Sequence, residues 1–276
     1  MPTHFRGISL LDLPDSGPLT VKLVETPEEL LAAQRLRYHV FFQEPGVKAS
    51  PEVEASGIDR DRFDEACDHL IVVDTSAPAS EQPKVVGNYR FLRASVARES
   101  GCGFFTGSDY ELDRLQHFPG EAMELGRSCV HADYRKRGTM FLLWQGIADY
   151  VLQHEITYMF GRASFPGVHV EGRDHALSYL HHFRLAPADM RLRASESVYI
   201  DMNRLPKAQV DVRRAMSEMP PLLKGYLRLG CMVGDGAVAD PSMDQLDICV
   251  IVEVSAITDR YFKHYLERGR LRERAA

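Results

Sequence analysis

The stretch from Met123 to His154 holds the residue types best suited to chemistry. It reads Met-Glu-Leu-Gly-Arg-Ser-Cys-Val-His-Ala-Asp-Tyr-Arg-Lys-Arg-Gly-Thr-Met and runs on into apolar Phe-Leu-Leu-Trp-Gln-Gly-Ile-Ala-Asp-Tyr-Val-Leu. Glu124 and Arg127 put a carboxylate and a guanidinium on one predicted strand. On a regular strand Glu124 and Gly126 face one way, Leu125 and Arg127 the other. A β-bulge, common beside active sites, would bring the pair together. The plain alternative is an ion pair that only ties the sheet together. Next comes a basic turn, Arg135-Lys136-Arg137-Gly138-Thr139, where the Thr139 hydroxyl can cap the following helix. Free amides at a helix start hold a phosphate group well.

The elements that must position these groups follow from the patterning. Residues 19–25 alternate Leu, Val, Leu, Val with polar neighbours and predict a first strand. Thr26-Pro-Glu-Glu predicts a capped helix start, with the helix reaching about Gln43. Residues 45–61 are polar, with Pro51 and Gly57, and predict a loop over the site. Residues 67–74 and 85–93 predict two strands joined by a Ser-, Ala- and Pro-rich connection. A short acidic helix is predicted over residues 108–115, then the central strand and a helix, apolar nearly all round, over residues 140–152. Residues 158–167 predict a fifth strand, Asp174 a helix cap, and residues 195–202 a sixth strand. Residues 220–230 predict a short helix or turn, and residues 246–254 a strand buried on both faces. A terminal helix bearing Arg268, Arg270, Arg272 and Arg274 is predicted over residues 258–272. Residues 1–18 read as a surface lead-in and 19–276 as a single α/β domain with a helical insertion before the last strand.

Bulk composition narrows the function classes. Of 276 residues, 45 % are apolar and 26 % charged, enough for an ordinary core without disulfides. A net charge of −6 argues against general nucleic-acid binding. No apolar run approaches the ~20 residues of a membrane span, and the opening residues lack a secretory pattern. Cys67, Cys102, Cys129, Cys231 and Cys249 are odd in number and lack metal-type spacing, so no metal site is predicted. They read as reduced buried thiols of a cytoplasmic protein.

The order β-α-β-β-β-α-β-α-β-β, with a basic Gly turn after the fourth strand, resembles the GNAT acyltransferase fold, a central mixed sheet flanked by helices. Arg37-x-x-Val-Phe-x-x-Glu44, Cys67-Asp-His-Leu, Val86-Gly-Asn-Tyr-Arg-Phe-Leu, Glu124-Leu-Gly-Arg-Ser-Cys-Val, Leu143-Trp144-x-Gly146 and Gly161-x-Ala-Ser-Phe sharpen that likeness. Together they resemble the ornithine-lipid synthases over residues 19–200, and residues 220–230 resemble that family's C-terminal part. Those enzymes move a 3-hydroxyacyl chain from acyl carrier protein to the α-amine of ornithine. They are similar to acyl-homoserine-lactone synthases, which share an Arg near the first helix and a Glu-x-x-Arg on the fourth strand. The resemblance implies acyl carrier protein and ornithine as partners and no permanently bound cofactor. It also implies a cytoplasmic enzyme whose basic terminal helix either rests on the inner membrane face or stays solvated.

One departure bears on the donor. Acetyl-CoA users of this fold carry Arg/Gln-x-x-Gly-x-Gly/Ala at the turn, whereas here Met140 replaces the second small residue. That second Gly lets backbone close around a pyrophosphate. A carrier protein presents a single phosphodiester and needs less of a cradle, so the departure favours it. Arg135, Lys136 and Arg137 would meet an acidic carrier favourably, with Gly138, Thr139, Val130 and His131 completing the donor site.

Acylating an amine requires a neutral nucleophile, a proton acceptor and an oxyanion donor. Glu124 is the candidate acceptor, directly or through water, with Arg127 beside it. A backbone amide near Val130 or His131 is the candidate oxyanion donor. Arg90 and Arg127 are candidates for the acceptor's carboxylate, unless salt bridges to Asp64, Asp68 or Glu124 use them up. Asp68, then Asp64, are candidates for its cationic side chain. Arg37 and Phe41 on the first helix are further substrate-binding candidates, and Phe41 and Phe42 either line an acyl tunnel or fill the core. Cys129 is the one candidate for a covalent route, so direct transfer is expected. His169 and Asp174 match the His-x4-Asp of glycerolipid acyltransferases, but no partner Glu-Gly-Thr-Arg follows. Rival readings are a lactone synthase using S-adenosylmethionine, an acyltransferase for glycine, glutamine or lysine, and a non-catalytic acyl-carrier or membrane-binding protein.

Overall fold

A computed structural model describes residues 18–76, 83–136 and 138–257. Thr26 accepts from the Glu29 amide and starts α1 (Pro27–Tyr38), which follows strand β1 (Leu19–Leu23). A π-helical turn, His39–Gln43, prolongs α1 and shifts the phase of its side chains. The expected loop contains a short helix, α2 (Pro51–Ser56), because Ser50 caps it and Pro51 begins it. Strands β2 (Asp68–Asp74) and β3 (Val85–Arg93) lead to α3 (Ala94–Ser100). The expected acidic helix is instead the strand β4 (Tyr110–Glu111) between two 3-10 turns, Thr106–Ser108 and Asp113–His117. Then come β5 (Glu121–Val130), α4 (Thr139–Gln153), β6 (Ile156–Pro166) and α5 (Asp174–Arg184). The last elements are β7 (Arg193–Ala194), α6 (Val212–Glu218), α7 (Pro221–Arg228), β8 (Met232–Asp240) and β9 (Gln245–Glu253).

Among the described residues the strands form one nine-stranded sheet, ordered β1-β2-β3-β5-β6-β9-β8-β7-β4. Neighbours are antiparallel except β5–β6 and β7–β8. Helix α1 covers one face, where Ala33 and Leu36 meet Ile71 and Cys129. Helix α4 covers the other, where Leu143, Ile147 and Tyr150 meet Leu70, Val72 and Phe91. This mixed sheet between helices is the expected fold class, and α6 and α7 form the helical insertion. They precede a hairpin rather than a lone strand.

Three expectations need correction. Strand β8 has no counterpart among the expected strands because Gly234, Asp235, Gly236 and Asp240 give it low strand propensity. Gly236 lies at φ +88°, where the register slips between Val233 and Ala237, so this is a bulged strand. Residues 195–202 do not form a strand; only Ile200 bridges to Ala237, beside that bulge. Asp174 makes no cap bond; it is the first helical residue of α5 and meets Arg204 at 3.4 Å. The terminal helix lies outside the described residues. No helix among the described residues is long and apolar enough to cross a membrane.

Candidate active site

The site arises where β5 and β6 part. Their parallel pairing runs from Glu121–Ile156 to Leu125–Gly161 and then stops, although β5 continues to Val130. At the last pair a Cβ on residue 161 would sit 2.2 Å from the Leu125 carbonyl oxygen, so only glycine lets the strands meet before diverging.

Strand β5 also bulges against β3. Arg90 pairs with Gly126 and Asn88 with Cys129, so Arg127 and Ser128 together face Tyr89. Arg127 takes φ +50°, and its carbonyl accepts from Asn88 Nδ2 at 2.9 Å. The bulge turns Arg127 onto the Glu124 face. Both residues then line one cavity of about 210 Å³, shared with Arg90, Arg162, Asp247 and Phe41. The conditional expectation for a bulge is thereby met.

Within that cavity the two groups have separate partners. Glu124 is buried and accepts from the amides of Phe105 at 3.0 Å and Thr106 at 2.6 Å. Arg127 pairs with Asp59 at 3.0 Å and Asp61 at 3.2 Å. The Arg127 and Arg162 guanidiniums lie 4.7 and 4.6 Å from the Phe105 ring centroid. Side-chain stacking thus joins the loop that binds Glu124 to the bulge.

Arg37 and Arg90 complete a cluster of three guanidiniums and three carboxylates. Arg37, 0 % exposed, reaches Asp59 at 2.8 Å and Asp64 at 2.9 Å. Arg90 reaches Asp61 at 2.6 Å and Asp64 at 2.7 Å, both through Nη1. Burial alone would raise the Asp64 carboxyl, but the Arg37 and Arg90 charges outweigh it and hold it well below the carboxylate range. The cluster pins residues 59–64 over the sheet. Arg37 is therefore a structural clamp rather than a group open to substrate, which corrects its assignment. Asp64 is likewise committed. Asp59 and Asp61 fall in the loop predicted over residues 45–61, and nothing local in the sequence marks them as partners of α1, β3 and β5, whereas the Arg90–Asp64 pair is the salt bridge weighed against substrate binding.

Asp68 also moves. It accepts from Tyr150 of α4, on the opposite sheet face from Arg90 and Glu124, because side chains alternate along β2. It is not among the residues lining the cavity.

A second cavity, of about 830 Å³, opens between the end of β5, the start of α4 and α7. Met140, Phe141, Trp144, Pro220 and Leu229 make it mostly apolar, with Val130 on its wall and Arg135 and Arg228 also lining it. Ser128 and Leu222 line both cavities, so the two meet there. Phe41 faces the smaller, polar cavity, whereas Phe42 is buried in packing.

The turn before α4 departs from expectation in two respects. Gly138, not Thr139, is the N-cap, and the buried Thr139 hydroxyl donates back to the Tyr134 carbonyl at 2.9 Å. The His131 amide donates to the Val86 carbonyl at 3.0 Å and is not free for an oxyanion. Arg135 donates to the Val130 carbonyl at 3.1 Å and pairs with Glu44. Arg137 lies outside the described residues. Burial pushes the Cys67 and Cys129 thiols up to about 12, so neither supplies a thiolate for covalent transfer. His169 lies in the loop before α5, outside both cavities, and its backbone carbonyl accepts from Arg173.

A family model described as an acetyltransferase (GNAT) domain matches residues 36–145, a span containing Arg37, Glu124 and the basic turn. The chain is 41 % identical over 251 residues to an L-ornithine N(alpha)-acyltransferase of Brucella abortus (strain 2308), covering 90 % of this chain and 89 % of that one. The chain belongs to this acyltransferase family. A relative of the same description from Rhizobium meliloti (strain 1021) is 41 % identical over 249 residues, covering 90 % and 84 %. The solved structure of FeeM, an N-acyl amino acid synthase from uncultured soil microbes, is 10 % identical with a TM-score of 0.49, covering 86 % and 91 %. In this chain the two cavities lie along the end of β5, with Glu124 lining the smaller.

Proposed function

We propose that the protein transfers a 3-hydroxyacyl group from acyl carrier protein to the α-amine of ornithine, forming a lyso-ornithine lipid. The observation that carries this reading is the meeting, at Ser128 and Leu222, of a polar cavity holding Glu124 with a larger apolar one. The donor is an acyl thioester. Its phosphodiester rests at the first-turn amides of α4 beside Gly138, Thr139 and Arg135. Its acyl chain lies along Met140, Trp144 and α7, and its thioester reaches the junction. Met140 in place of a second small residue, and basic Arg135, Lys136 and Arg228 on the donor side, favour an acidic carrier protein over a pyrophosphate donor.

The acceptor occupies the polar cavity, with its carboxylate toward the guanidinium donors that Arg90 and Arg127 do not spend on Asp59, Asp61 and Asp64. Glu124 takes a proton from the α-amine, directly or through water, and the nitrogen attacks the thioester carbonyl carbon. Because the His131 amide is engaged, we assign oxyanion stabilisation to the other candidate, the Val130 amide, where β5 runs on beyond its pairing with β6. Collapse breaks the C–S bond, and the leaving thiolate regains the proton that the amine lost. Amide and thiol are the products. We place the reaction in the cytoplasm at the inner membrane face, where a long-chain product partitions.

The test is thiol release from 3-hydroxypalmitoyl carrier protein with and without ornithine, with mass analysis. Ornithine-dependent release and an N-acylornithine are expected. Release dependent on another amino acid would change the acceptor, a lactone with methylthioadenosine would indicate the synthase alternative, and no release with any amine would refute the enzyme reading.

A further inference from the structure

At the far end of the polar cavity stands a carboxylate that the transfer chemistry does not use. Asp247 is 0 % exposed yet lines the cavity. Its Oδ1 accepts from Ser164 Oγ at 2.6 Å, while Oδ2 meets Arg162 Nη1 only at 3.4 Å. Arg162 is held elsewhere, by Asp109 at 2.7 Å, Ser108 Oγ at 2.7 Å and the Phe105 carbonyl at 2.9 Å. In the same wall Thr106 is 1 % exposed, and its hydroxyl oxygen has no hydrogen-bond partner.

Charge is unevenly matched at the two ends. Arg37, Arg90 and Arg127 face Asp59, Asp61 and Asp64 one for one. At the other end a single guanidinium, Arg162, faces two carboxylates, Asp109 and Asp247. That end is one cation short. Burial pushes the Asp247 carboxyl up, only partly opposed by Ser164 and Arg162, as for an anion whose counter-charge arrives with a ligand.

The separation also suits a diamine acid. Glu124 pairs with Phe160 and Asp247 with Ser164 across β6. Those levels lie four residues, about 13 Å, apart along the strand and two strands, about 10 Å, apart across the sheet, and the Glu124 and Asp247 side chains, which both enter the cavity, shorten the gap between the two carboxylates. In an extended 2,5-diamino acid the two nitrogens are about 6 Å apart, and a hydrogen bond of about 2.8 Å at each end brings the reach to about 12 Å.

Resting on the acyl-transfer reading above, the geometry points to Asp247, oriented by Ser164, as the specificity residue that binds the side-chain ammonium of the acceptor. Asp247 takes the role first assigned to Asp68. The α-amine is thereby left at the Glu124 end for acylation, and the distal amine is held away from the thioester.

The experiment compares kcat/KM for ornithine and for norvaline, which has the same carbon chain without the distal amine. The wild type should strongly favour ornithine, and Asp247→Asn should lower the ornithine-to-norvaline ratio about 100-fold. Asp247→Glu, which advances the carboxylate by one methylene, should shift preference toward 2,4-diaminobutyrate. An unchanged ratio in Asp247→Asn, or an unchanged length preference in Asp247→Glu where Asp247→Asn does not fold, overturns the inference. Wild-type protein that acylates no amine refutes the underlying function instead.

Discussion

Glu124 joins two jobs in one carboxylate. Its oxygens accept from the Phe105 and Thr106 amides, and its position in the polar cavity suits it to take a proton. A glutamine there keeps one acceptor but turns an NH2 group toward an N–H, losing about 1–3 kcal/mol. Glu124→Gln should therefore melt modestly lower and lose about 10²–10⁴-fold in kcat. Thermal unfolding beside steady-state turnover separates the effects; kcat within threefold of wild type would remove Glu124 as proton acceptor. The Glu-x-x-Arg spacing was visible in the chain, but the amide partners were not. They come from a turn nearly twenty residues upstream, which only folding brings alongside.

At the scale of elements, the divergence of β5 and β6 creates the site. Gly161→Ala would drive a methyl into the Leu125 carbonyl, which as sheet backbone cannot yield cheaply. It should destabilise the protein by about 1–3 kcal/mol, as overpacking does, and lower kcat by disturbing the Glu124 register. Urea unfolding with parallel activity assays tests this; unchanged stability would show that the strands can separate further without cost. Helix α7 forms one wall of the larger cavity, where a Cβ at Gly225 meets nothing within 4 Å. Gly225→Leu should fold, gain helix propensity of about 1 kcal/mol, and shorten the preferred acyl chain. Competition between long and short acyl donors reads this directly, and an unaltered preference would move the acyl chain out of that cavity. The α7 segment was legible as a short helix or turn closed by Gly230. Its place beside the β5 terminus was not, since no local pattern encodes which groove an inserted helix fills.

For the whole molecule, the Arg37–Arg90–Arg127 cluster ties α1, the residues 59–64 segment and two central strands together. The Asp64 carboxyl is depressed in the folded state, so its contribution is full above the unfolded value near 3.8 and is lost as pH falls through the lower folded one. Asp149 acts oppositely: burial raises its carboxyl to about 6, so its penalty grows as pH rises from the unfolded value toward 6. Comparing variants isolates the first effect. Asp64→Asn should be clearly less stable than wild type at pH 7, and the gap should close as pH falls below about 4. A gap constant across a urea-unfolding series from pH 7 to pH 3 would contradict the ion-pair account.

The sequence by itself determined the fold class, the central strand and buried helix, the Glu124–Arg127 spacing, and the residue set that marks the acyltransferase family. These are local matters of periodicity, capping and motif, written in neighbouring positions. Tertiary structure alone decided that Arg37 is a clamp, that Asp68 faces the wrong side of the sheet, that the His131 amide is spent, and that Asp247 enters the pocket. The physical reason is that a side chain's partners depend on strand register and on bulges. One extra residue in β5 turns Arg127 to the other face, and one glycine in β6 lets the strands come close enough to part where the substrates meet.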